Sequence, residues 1–144
     1  VSDEATIVHE IETSYAAYAG AFNDENIDGV VRYISAPYVM TIGANAPMVM
    51  DSPEHVRGLF ERSLAGMKGR GWAKSDFKTV HIWPLSNDHA LLMTDIIRYK
   101  ADGSVLETGR YIYSVRRAAP SWQITGVTDV PPPFMGPGDF ARPA

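Results

Sequence analysis

The chain has 144 residues, 45% of them hydrophobic and 21% charged, the composition of one ordinary soluble domain with enough chain to bury a sizeable core. Seventeen Asp and Glu against thirteen Lys and Arg give a formal charge of -4, and no basic run exceeds the pair Arg116 and Arg117, so neither nucleic acid nor an anionic membrane is an expected partner. The absence of cysteine excludes disulfides, thiolate catalysis and thiolate zinc sites.

In chain order, Ile7, Ile11, Tyr15, Tyr18 and Phe22 recur at spacings of three and four, which predicts an amphipathic helix from residue 3 to about 22. Ser2 or Asp3 can cap it. Asn26 can cap a second, short helix carrying Ile27, Val30, Val31 and Ile34, with Asp28 in its first turn and Pro37 as its stop. The run from Tyr38 to Ile42 and the shorter run Met48 to Met50 flank Gly43-Ala44-Asn45-Ala46-Pro47 and predict a hairpin. Ser52 as cap, Pro53 at the first helical position and Glu54 in the first turn then open a third helix with Val56, Leu59, Phe60, Leu64 and Met67 on its apolar side. Gly69 and Gly71 stop it. Strands are expected over about residues 75–85, 89–100, 106–117 and 121–130, separated by the turn clusters Ser86-Asn87-Asp88, Ala101-Asp102-Gly103 and Ala118-Ala119-Pro120. Helices first and a meander afterwards imply an α+β domain, with the helices on one face of a curved, mainly antiparallel sheet. The Pro-rich tail 131–144 cannot continue a ladder, and Phe134, Met135 and Phe140 are its candidate anchors. No apolar run approaches the roughly 20 residues of a membrane helix. The first residues are acidic where a secretory signal would be basic and then apolar, so the expected location is cytoplasmic.

The stretch from Tyr18 to Ile42, YAGAFNDENIDGVVRYISAPYVMTI, resembles the opening of a ketosteroid-isomerase-like domain of the nuclear-transport-factor-2-like superfamily. The segment Arg57 to Leu64 is similar to that family's third helix, and the related SnoaL-like polyketide cyclases fit equally well. The resemblance implies a cystatin-like domain over residues 1–130, three helices on a sheet curled into a cone with an internal pocket, and a homodimer formed through the outer sheet face. It also implies chemistry without a cofactor. An ungapped register through Asn23, Ile27, Asp28 and Gly29 places Tyr18 at the family's catalytic tyrosine, and Tyr111 at its second oxyanion-binding group. The same register puts Ile42 where the family carries its general base, and Ile42 cannot take a proton.

Strand alternation offers a replacement, because Leu91, Met93, Asp95, Ile97 and Tyr99 share a face and Asp95 is the lone carboxylate of that row. Facing the cavity it would be desolvated and suited to proton transfer; facing outward it would pair with Arg98 or Arg110. The expected catalytic set is therefore Asp95, Tyr18 and Tyr111. In the register of the family that the chain resembles the row of Asp95 faces the cavity, and Met40, Ile42, Leu59, Met93, Ile97, Tyr113 and Trp122 are the expected pocket lining. Ile96, Ile112 and Val127 fall to the outer face. The four histidines show no metal spacing, and no metal is expected. Two functions follow from these readings. One is an acid-base enzyme acting on a small, largely apolar carbonyl or enol-forming compound by isomerisation, cyclisation or dehydration. The other is a non-catalytic homodimer, a module that binds a small apolar organic molecule or an interaction partner through the same pocket.

Overall fold

A computed structural model describes residues 3–133; the expected cap Ser2 and the tail anchors Phe134, Met135 and Phe140 lie outside the described residues. Helix α1, Glu4–Asn23, begins where Asp3 Oδ1 accepts a hydrogen bond from the Thr6 amide at 2.7 Å, and it buries Ile7, Ile11, Tyr15, Tyr18 and Phe22 on one side. Its last residue ties it to the sheet. Asn23 Nδ2 donates to the Ser75 carbonyl at 2.9 Å while the Ser75 amide donates to Asn23 Oδ1 at 2.8 Å, a reciprocal pair of the kind usually made by backbone alone.

Helix α2, Ile27–Val31, starts at Asn26, whose side chain accepts from the Gly29 amide at 3.1 Å. Gly29 permits close packing on α1, since a Cβ there would fall 2.8 Å from the Ala21 Cβ. The helix ends before Ile34, earlier than the sequence suggests. Strand β1, Ile34–Thr41, runs through Pro37, so Ile34 is a strand residue and Pro37 a strand interruption rather than a helix stop. Proline is tolerated there because β1 shifts register against its neighbour between Ile34 and Val39, leaving no regular ladder at Pro37. Strand β2, Met48–Met50, pairs antiparallel with β1 as expected, and α3, Pro53–Gly69, is capped by Ser52 Oγ on the His55 amide at 3.1 Å.

Four long strands complete the chain: β3, Trp72–Pro84; β4, His89–Lys100; β5, Val105–Ala118; and β6, Ser121–Asp129. The six strands form one curved, unclosed sheet in the order β2-β1-β6-β5-β4-β3, antiparallel except for the parallel neighbours β1 and β6. The three helices cover one face, where Ile11, Tyr15, Val30, Val56, Leu92 and Trp122 are among the most deeply buried side chains. Among the described residues, no helix is long and apolar enough to cross a membrane.

A bulge decides which side chains reach this core. In the β4–β5 hairpin Tyr99 opposes Val105, but the next pair is Arg98 with Glu107, so Leu106 is an extra residue in β5. Beyond it Thr94 faces Tyr111 and Leu92 faces Tyr113. Residues directly opposite one another in a ladder share a face, so the even-numbered row Leu92, Thr94, Ile96 and Arg98 turns toward the helices and the odd-numbered row turns away.

Candidate functional site

Between α1, α3 and the sheet lies a half-open cavity of about 220 Å³. Helix α1 supplies Tyr18 and Phe22, and α3 supplies Phe60, Ser63 and Met67. The sheet supplies Tyr38, Met40 and Ile42 from β1 and its end, Phe77 from β3, Ile96 and Arg98 from β4, Tyr111 and Tyr113 from β5, and Val127 from β6. Four of the expected site residues besides Tyr18 therefore meet here: Met40, Ile42, Tyr111 and Tyr113. Ile42 stands in the wall as an apolar contact.

The other expected residues lie elsewhere. Asp95 is on the outer face, where Arg110 Nε and Nη2 donate to its two carboxylate oxygens at 2.7 and 3.0 Å. Its placement in the cavity is corrected by the Leu106 bulge, which reverses the parity that an unbroken hairpin would give. Met93 and Ile97 follow Asp95 outward, while Ile96 and Val127, expected outside, line the cavity instead. Leu59 packs half-buried against the core without reaching the cavity lining. Trp122 is buried at the closed end of the helix-sheet interface beside Ile11, Tyr15 and Leu92, with the Arg117 guanidinium over its ring at 4.8 Å. Its backbone amide donates to Ser14 Oγ at 3.0 Å, which fixes α1 on β6. His81 opposes Met93 and so shares the outer row, with Trp83 edge-on at 4.6 Å.

The polar character of the cavity comes from phenols and one guanidinium. Burial pushes the Tyr18 hydroxyl well above the ordinary tyrosine range, and the neighbouring Tyr113 adds to the effect. Tyr15 and Tyr38 are raised in the same way, chiefly by burial. Tyr113 is pushed up to about 12 by burial and then by Tyr111, and the positive charge of Arg98 and the Tyr15 and Tyr18 phenols pull it back. All four phenols are neutral at ordinary pH and can donate hydrogen bonds. Tyr15 itself is occupied: its hydroxyl shares a 2.7 Å hydrogen bond with Thr94 Oγ1, whose own donor reaches the Lys78 carbonyl at 3.0 Å. The Tyr111 ring lies back along β5 over Gly109, where a Cβ would fall 2.7 Å from the Tyr111 hydroxyl oxygen. Gly109 is thus the residue that leaves room for this ring.

Arg98 is the feature that sequence reasoning missed. Its side chain is 17% exposed, Nη1 donates to Glu107 Oε1 at 3.2 Å, and Nε is buried without a hydrogen-bond partner among the described residues. Placing the bulge at Leu106 would have moved Arg98 inward together with Thr94 and Ile96. Tyr38 alternates with Met40 and Ile42 in the expected strand run and stands in the same wall. Among the described lining residues there is no carboxylate and no histidine, so none of them is a proton acceptor of the usual kind.

The fold is widely shared. An NTF-2 like protein of unknown function from Shewanella oneidensis MR-1 superposes with a TM-score of 0.69 at 14% identity, over 85% of this chain and 97% of that one. A cystatin-like domain of unknown function from Nostoc punctiforme PCC 73102 gives 0.69 at 12% identity, over 89% and 78%. A ketosteroid isomerase-like protein from Erwinia carotovora atroseptica SCRI1043 gives 0.60 at 18% identity, over 86% and 96%. At such identities the likeness speaks for the fold alone. No curated protein matches the sequence. The sequence pattern of the family described as NTF2-like protein (DUF6841) matches residues 9–132, most of the chain, and the protein belongs to that NTF2-like family.

Proposed function

We propose that this domain binds a small, largely apolar compound carrying an oxygen acceptor, and holds it in the cavity between α1, α3 and the sheet without itself abstracting a proton. The observation that carries the proposal is the cavity's lining: apolar walls, neutral phenols and no acid-base pair. An engineered cavity of about 150 Å³ lined by aliphatic and aromatic side chains holds benzene. The larger volume here suits one ring and a polar substituent. Phe22, Ile42, Phe60 and Val127 would contact the ring, and the Tyr18 and Tyr113 hydroxyls would reach the acceptor oxygen. Backbone chemical shifts recorded during titration with single-ring ketones, phenols and carboxylates should move on β1, β4 and β5 around the cavity. Ile42→Trp, which fills the space, should abolish those shifts. Shifts confined to the outer face, or unaffected by Ile42→Trp, would overturn the reading.

A second reading rests on the same phenols. Donors held neutral in a water-poor site stabilise developing oxyanion charge, typically by about 2.7–4 kcal/mol for each donor aimed at it. An isomerase, cyclase or dehydratase would then draw its base from the substrate or from water, since Asp95 is turned away. Turnover of a carbonyl compound that is lost in Tyr18→Phe and retained in Asp95→Asn would favour this enzyme over the binding module. The proposal includes a second copy docked on the outer sheet face, where Leu91 and Ile112 lie among Thr41, Thr125 and Thr128. A strict monomer by sedimentation at tens of micromolar would remove that part.

A further inference from the structure

The charges around the cavity do not balance. Glu107 accepts from Arg98 Nη1 at 3.2 Å and, through both oxygens, from Arg70 Nη1 and Nη2 at 3.2 and 2.8 Å. Two guanidiniums thus share one carboxylate, and a full positive charge is left over. The distribution of that charge is graded by depth. The Arg70 side chain is 54% exposed, Glu107 34% and Arg98 17%, so the outer cation is largely hydrated and the inner one is not. Water screens an exposed cation, whereas a buried guanidinium needs a partner near it.

Arg98 lacks part of that partner. Its bond to Glu107 uses Nη1, and the Nε edge carries a buried donor with no acceptor among the described residues. A guanidinium presents forked N–H groups whose spacing matches the two oxygens of a carboxylate. The cavity that Arg98 lines contains no acidic side chain to take up its remaining charge. The neighbouring polar groups, the Tyr18, Tyr111 and Tyr113 hydroxyls, can all donate to an anion as well.

Resting on the reading of the cavity as a small-molecule site, we propose that its ligand is a monoanionic carboxylate with a compact apolar body, paired with the Arg98 guanidinium that lines it. One unmatched charge calls for one negative charge, and the apolar lining, Phe22, Met67, Phe77 and Ile96 among it, suits the remainder of the molecule. A phosphate ester would bring a second negative charge against the one unmatched cation.

Benzoate and its neutral isostere benzamide, titrated calorimetrically into the full chain at low ionic strength, test the inference. Benzoate should bind about tenfold or more tightly than benzamide, as expected for a charge-assisted bond over a neutral one. Its affinity alone should weaken with added salt. Arg98→Met should erase the preference while leaving benzamide binding in place. Should Arg98→Met fail to fold, Glu107→Gln gives an independent reading: removing the competing carboxylate should tighten benzoate and leave benzamide unchanged. Equal affinity for the two compounds, or a preference that survives Arg98→Met, would overturn the carboxylate inference with the cavity reading intact. Binding of neither compound, and of no neutral single-ring ketone or phenol, would overturn both.

Discussion

Asp95 shows how a single ionisable residue earns its place without taking part in chemistry. Arg110 is 2% exposed and Asp95 32%, so the pair sits at the boundary where a carboxylate still touches water while its cation does not. Both oxygens of Asp95 are engaged, and the ion pair holds the Arg110 guanidinium further toward its charged form. Asp95→Asn removes the negative charge and one acceptor while keeping the shape. Breaking a buried pair from one side costs about 3–5 kcal/mol, and partial hydration of Asp95 places this site at the low end, about 3 kcal/mol. Urea denaturation should register that loss, and benzoate titration into the same variant should show unchanged affinity. An affinity loss comparable to that of Arg98→Met would mean that the outer face communicates with the cavity.

At the level of elements, local signals were legible wherever a side chain satisfies its own neighbourhood. Asp3, Asn26 and Ser52 cap the helices that their positions predict, and the hairpin loop between β1 and β2 falls where Gly43 to Pro47 place it. The alternation in β4 could not choose a face, because Leu91, Met93 and Ile97 on one side are as apolar as Leu92 and Ile96 on the other. Continuing the hairpin unbroken from Asp102-Gly103 aligns odd residues of β4 with odd residues of β5, which groups Asp95 with Tyr111. The extra residue Leu106 reverses that alignment, and a one-residue slip exchanges every side chain between faces. Long-range anchors were equally hidden. The Asn23 amide completes the hydrogen bonding of Ser75 from 52 residues away, and Trp72 Nε1 adds a 2.8 Å bond to Ser75 Oγ. Asn23→Ala leaves two part-buried backbone groups without their partner at about 1–3 kcal/mol each. The expected loss is about 2–6 kcal/mol, with amide exchange accelerating first at Ser75. Uniform acceleration across the sheet would argue that Asn23 stabilises the whole fold rather than the α1–β3 junction.

For the molecule as a whole, the phenols that make the cavity polar also make folding sensitive to alkali. Tyr15, Tyr18, Tyr38 and Tyr113 are buried at 6%, 4%, 3% and 5% exposure, and each is raised above the ordinary phenol value of about 10. In the unfolded chain these groups release their protons near pH 10; in the folded chain Tyr113 holds its proton to about 12 and the other three hold theirs longer. Above pH 10 the unfolded state therefore binds fewer protons, and stability that is complete below that pH falls as pH rises toward 12. Each phenol contributes a slope of about 1.4 kcal/mol per pH unit once its unfolded form has ionised. Four acting together can exhaust the 5–15 kcal/mol or so that a domain of this kind possesses. These four should ionise only as the circular dichroism collapses. Phenolate absorbance reaching its full seven-tyrosine value in a chain with native dichroism would show that these hydroxyls ionise within the folded state. The same result would remove the neutral donors beside Arg98 on which ligand recognition there depends.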